Sequence, residues 1–120
     1  MVTVHMVIGT LVVIAFLILA VGNAIQLTGE RTFTWTRQLS MAAALLLLVQ
    51  YVLGLSLLSG DHSITPAHYI FALAALITVG VEHGVAYPAE DRTTRARLAT
   101  MATSGTALLV IIAYSIGQAS

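Results

Sequence analysis

The chain has 120 residues, of which 58% are hydrophobic and only 8% charged, and its mean hydropathy is +0.95. A water-soluble domain of this size has too much surface for its volume to hide so much apolar side chain, so lipid is the expected solvent. A formal net charge of zero offers no polybasic surface for nucleic acid, and the absence of cysteine removes disulfides, thiolate ligands and thiol nucleophiles.

A hydrocarbon core takes about 20 apolar residues of helix. Four such stretches are read, over residues 2–25, 40–58, 66–87 and 97–117. The first is Val, Ile and Leu almost throughout, broken by Gly9 and Gly22. β-Branched residues disfavour helix in water, but in lipid the backbone must satisfy its own hydrogen bonds, and a helix does so. Val21-Gly22-Asn23-Ala24 ends in small residues, as a cleavage site would. Nothing basic precedes the run, however, and it is longer than a signal core, so it reads as a retained anchor.

Thr28 to Arg37 reads as a polar connector. Its Thr32-Phe33-Thr34-Trp35-Thr36 pattern suits a membrane interface, with Trp35 at headgroup level. The alternation also fits a short strand, but no partner strand exists. The second span is followed by a short turn, Ser59-Gly60-Asp61-His62-Ser63. The third opens at Pro66, a favoured first-turn residue, and stops near Tyr87-Pro88. The fourth begins near Arg97. The expectation is one all-α, polytopic domain over residues 1–120, an up-down-up-down four-helix transmembrane bundle.

All five basic residues are arginines, at 31, 37, 92, 95 and 97, in the first and third connectors. The positive-inside rule then puts these connectors in the cytoplasm and both termini outside, in a bacterial or archaeal inner membrane.

In that arrangement His5 and His68, each about one turn inside its span, lie at matched depth near the outer face. Spans one and three run in the same direction and sit diagonally across the core. Two imidazoles from facing helices can ligate the iron of a b-type heme. Gly9 and Ala72, one turn further on, leave room for the porphyrin, and Ala75 extends the small face. Gly54 on span two falls at comparable depth. The competing reading is structural: His5 reaches interfacial water and His68 anchors the third helix.

His83 lies fifteen residues after His68, or about 22 Å along the same helix, a spacing that stacked hemes use. Span one supplies no matching histidine there, only Ala20, Gly22 and Asn23. Glu82 and His83 are adjacent and are expected to point apart, at a polar inner helix end. A chlorophyll-type pigment ligand is a further reading of His83. His62, beside Asp61, is a lesser ligand candidate or a contact for heme propionates. No Arg or Lys stands on the outer side to neutralise propionates. Gln50 shares a face with Gly54 and reads as an interhelical amide. Small residues at 42–44, 104 and 105 permit close helix approach. There is no nucleotide loop, no zinc-protease motif and no paired intramembrane carboxylate. No span has the unwound Gly/Pro centre of a transporter.

The stretch Leu48-Val49-Gln50-Tyr51-Val52-Leu53-Gly54, the short outer turn, and Ala67-His68-Tyr69 opening the next span resemble one four-helix half of heme A synthase and other small cytochrome b-type membrane proteins. The resemblance implies that histidines near the outer ends of alternate helices ligate heme, which carries over onto His5 and His68. The family's catalytic glutamate, one turn before a heme histidine, is not matched: Val2 and Thr65 stand three positions before the two histidines. The outer-loop cysteine pair of many members is also missing. A heme-binding electron-transfer subunit of a respiratory or photosynthetic complex is therefore expected over a heme-modifying enzyme. The alternative is a cofactor-free accessory or assembly subunit, packed on other membrane subunits or on a second copy.

Overall fold

The computed structural model describes residues 2–29, 32–58 and 65–119, the last by its backbone only. His62, Asp61 and Arg31 lie outside the described residues. Four helices form: α1 (Val2–Gly29), α2 (Trp35–Leu58), α3 (Pro66–Val81) and α4 (Arg92–Ala119), with a π-helical segment, Glu82–Ala86, continuing α3. No strand occurs among the described residues. All four helices are long and apolar enough to cross a membrane, the third counted through Ala86. They gather into an elongated bundle, 49 × 20 × 20 Å.

The core is thin. Val12, Phe16 and Leu19 of α1 meet Ala43 and Leu47 of α2, Ala75 and Val79 of α3, and Ala107 and Val110 of α4. Large apolar side chains such as Leu45, Ile70, Ile77, Met101 and Leu108 face outward instead, each about 60% exposed or more. This pattern is inverted for a soluble protein and suits an apolar solvent. α1 lies along α4 and α2, and α3 lies along α4, whereas α1 and α3 have no Cα pair within 8 Å. They occupy diagonal positions, as the sequence predicts for spans one and three.

The helix ends depart from the expected ones by several residues. α2 begins at Trp35, not at 40, because the connector is anchored inside the protein. Phe33 stacks on Trp35 with ring centres 5.4 Å apart, and the Phe33 amide donates to Gln26 Oε1 at 2.8 Å. Trp35 also covers Gly22, where an added Cβ would lie 2.8 Å from Trp35 Cη2. Gly22 is thus a seat for the indole.

α4 begins at Arg92, not at Arg97, because Asp91 caps it. Its Oδ2 accepts from the Thr94 amide and hydroxyl, both at 2.9 Å. These two hydrogen bonds favour the charged form and hold the Asp91 carboxyl below its ordinary range. α3 starts as expected, with Pro66 in its first turn. Its regular part stops at Val81, where Tyr87 N–H reaches back to Glu82 O at 3.1 Å and widens the last turns.

Candidate functional site

The first turns of α1 and α3 meet the last turns of α2 and α4 at one end of the bundle. There His5 and His68 approach edge to face, with ring centres 6.2 Å apart and planes at 68°. They bring the diagonal helices α1 and α3 together at this end. A cavity of about 430 Å³ opens beside them, and His5, Gly9, Gln50, Gly54, His68 and Ala72 are among its lining residues. Its size falls in the range of cofactor pockets, about 300–1,000 Å³. Every cofactor-site residue expected from the sequence is thus gathered at one place, apart from His62, which is not described, and His83, which is not there.

His68 is held in one orientation. Its Nδ1 lies 2.7 Å from the carbonyl oxygen of Ala113 on α4, so Nδ1 carries the proton and donates. Its Nε2 is left as the lone-pair nitrogen. Gly117, one turn after Ala113, makes this contact possible. A Cβ at 117 would lie 3.0 Å from His68 Cε1 and 3.1 Å from Nδ1. The missing side chain opens the helix surface over the Ala113 carbonyl to an imidazole. Neither Ala113 nor Gly117 was indicated by the sequence reading. The only available signal was their spacing of four, which puts both on one face of α4.

His5 rests against α2. A Cβ at Gly54 would lie 3.2 Å from His5 Cε1, so Gly54 makes room for the imidazole itself and not for a porphyrin edge. Gln50 Nε2 is 3.4 Å from His5 Nε2, while two buried atoms nearby, His5 Nδ1 and Gln50 Oε1, have no hydrogen-bond partner. Exchanging the Gln50 amide oxygen and nitrogen resolves part of this. The oxygen then accepts from His5 Nε2–H, and His5 Nδ1 becomes the lone-pair atom.

Gly9 also departs from its expected part. An added Cβ there would sit 2.9 Å from Gln50 Nε2 and 3.5 Å from the Tyr114 ring. The space over Gly9 is therefore filled by the end of the Gln50 side chain and by Tyr114, whose hydroxyl lies 3.1 Å from Thr10 Oγ1. Ala75 is fully buried in the helix core and takes no part in the cavity. Ala72 does line it. Tyr69 also lines it, and its buried hydroxyl has no partner.

The spacing of the two rings is that of an axial pair, and with the Gln50 amide turned as above the free nitrogens are Nε2 of His68 and Nδ1 of His5. Two imidazole–metal bonds of about 2 Å each, plus the inner halves of two rings, separate the ring centres by about 6 Å. A pair of imidazole nitrogens suits a heme iron better than a bare hard cation. Among the described residues no group of three or more His, Cys, Asp or Glu is placed to hold a metal ion.

His83 sits at the far end of α3. Its Nε2 is 3.1 Å from Ser40 Oγ, and its ring lies 5.2 Å from that of Tyr87. Ser40 also donates to Glu82 Oε2. Glu82 and His83 therefore converge on one hydroxyl, against the expectation that they point apart. The π-helical segment is the reason, because its wider turn changes the angle between successive side chains.

Comparison with protein-family models, with curated proteins and with solved structures gave no significant match to this chain.

Proposed function

We propose that this protein crosses a membrane four times, up-down-up-down, and binds one b-type heme near the outer face between His5 and His68. The observation that carries the reading is the 6.2 Å approach of two imidazoles across the bundle diagonal, beside a cavity of about 430 Å³. The Ala113 carbonyl orients His68 in the way that second-shell partners orient metal-bound histidines, by fixing the tautomer and freeing the other nitrogen. The arginines at 37, 92, 95 and 97 flank the opposite helix ends, which supports both termini lying outside and the connectors lying in the cytoplasm.

When bound, the heme would supply a one-electron couple. The protein's residues orient the axial imidazoles and keep water from them. Val2 and Thr65 stand where heme A synthases carry the catalytic glutamate, which favours electron transfer within a larger membrane assembly over heme modification. The test is an absorption spectrum of protein purified after heme-replete expression. A Soret band lost in both His5→Ala and His68→Ala is expected. A colourless wild-type protein overturns the reading.

A second reading, a cofactor-free accessory subunit, is favoured by one observation. The sequence has no Arg or Lys near residues 5 and 68 to pair with propionates, and the clefts at Gly9 and Gly54 already hold side chains. Co-purification of colourless protein with a larger complex would establish it.

A further inference from the structure

Glu82 is fully buried, with 0% of its surface exposed, in a helix apolar enough to cross a membrane. An ionisable group in such a place marks a functional site by default. Its Oε2 accepts from two hydroxyls, Ser40 Oγ and Tyr87 OH, the latter at 2.6 Å. Its Oε1 is buried with no hydrogen-bond partner. Ser40 is also fully buried, and its oxygen, while donating to Glu82, lies 3.1 Å from His83 Nε2. His83 is only half-buried. A continuous chain therefore runs from a partly exposed imidazole, through one hydroxyl, to a carboxyl sealed inside the bundle.

Among the described residues, the charged and polar side chains on the helices packed at this end have these contacts. From α2, the Arg37 guanidinium carbon lies 5.4 Å from the Tyr87 ring centre, over the ring and not on the carboxyl. From α4, Arg92 donates to Gln26 O and Arg95 to Ala89 O, each at 3.2 Å. From α1, Asn23 and Gln26 are neutral amides. A bare carboxylate here would place a full charge on a fully buried group with one oxygen lacking a protein donor, which is costly. A neutral carboxylic acid fits better. Its carbonyl oxygen takes the two hydroxyl donors, and no charge is left at the buried Oε1.

We propose that Glu82 is a proton-binding site within the bundle, loaded from His83 through the Ser40 hydroxyl. The transfer is balanced. The Nε2–H bond of protonated His83 breaks as a new Ser40 Oγ–H bond forms, and the original Ser40 O–H bond breaks as Glu82 Oε2–H forms. His83 is left neutral, Glu82 loses its negative charge, and Ser40 keeps one proton. A half-turn of the carboxyl then exchanges its two oxygens and returns the carbonyl oxygen to the two hydroxyls. The π-helical turn is what lets Glu82 and His83 share Ser40. No residue of this site lines the His5–His68 cavity, so its test is independent of heme.

The experiment is infrared spectroscopy of the full chain in lipid nanodiscs near neutral pH, in water and in deuterium oxide. A protonated-carboxyl C=O band is expected that shifts with isotope-labelled glutamate, disappears in Glu82→Gln, and exchanges with deuterium severalfold more slowly in Ser40→Ala. The label also marks Glu30 and Glu90, so the band is assigned by its loss in Glu82→Gln and, should that variant misfold, by loss of the label-dependent shift in Glu82→Asp. Absence of a glutamic acid band near neutral pH overturns the proposal, as does a carboxylate band that moves on adding sodium ions. Unchanged exchange in Ser40→Ala overturns the route through the hydroxyl.

Discussion

His68 donates its Nδ1 proton to the carbonyl oxygen of Ala113 at 2.7 Å, and it reaches that atom because residue 117 has no side chain. The orientation of one imidazole thus depends on a backbone atom and a missing methyl group on another helix.

Gly117→Ala should disturb this seat. The new Cβ would meet the ring at 3.0 Å, and overpacking of this kind costs about 1–3 kcal/mol. The expected result is a weakened or shifted Soret band with a lower unfolding midpoint in mixed micelles. Gly80→Ala is the control, because nothing lies within 4 Å of its added Cβ, and it should leave both readouts in place.

Gln50→Leu removes the amide beside His5 and keeps the apolar volume. Loss of one interhelical polar contact in a membrane protein lowers stability by about 0.6–1.7 kcal/mol. Denaturant titration in detergent measures this loss. In heme-loaded protein the same change should also move the reduction potential, because the group next to one axial imidazole changes.

Gly22→Ala should drive Trp35 from its seat, since the added Cβ would fall 2.8 Å from Cη2 and 3.3 Å from Thr36 Cγ2. Trp35 is the chain's one tryptophan, so its fluorescence reports the displacement directly. Trp35→Ala in the same protein should relieve the clash, making the two substitutions non-additive.

Asn23→Ala should loosen the first connector. The buried Asn23 amide donates to Thr103 Oγ1 at 3.1 Å, and its oxygen accepts from Gln26 Nε2 at 3.0 Å; Gln26 in turn holds the Phe33 amide. A loss of about 0.6–1.7 kcal/mol is expected, on the scale of membrane side-chain hydrogen bonds. Faster amide exchange at Phe33 would locate it.

Asp91 predicts an acid-sensitive helix start. Its carboxyl titrates below the ordinary range because Thr94 donates to the charged form. The stabilisation is therefore present above the unfolded-state value and is lost as pH falls through the lowered folded one. Asp91→Asn keeps a capping oxygen and removes the titration. Its unfolding midpoint should depend less on pH across the acid range than that of the wild type.

Much of the cavity lining is legible in the sequence. His5 and His68 were indicated by their matched positions in two apolar runs, and Gly54 and Ala72 by helical spacing from Gln50 and His68. The readings that changed all depended on a neighbour from another helix. Gly9 and Gly54 were assigned to a porphyrin, yet they accommodate Gln50, Tyr114 and His5. Glu82 and His83 were set apart by regular helix geometry, and a π turn brought them onto one serine.

The amino-acid sequence by itself determined that four apolar helices form and where the arginines fall between them. Hydropathy and charge are local sums over a segment, so no neighbour is needed to read them. Only the tertiary structure decided which atom faces which. Ala113 supplies a carbonyl and Gly117 an absence, Ser40 supplies a hydroxyl between two side chains more than forty residues away, and Asp91 starts α4 five residues early. Backbone acceptors, missing side chains and changes of helical pitch gain their meaning from whatever packs against them, and that contact is settled only when the helices come together.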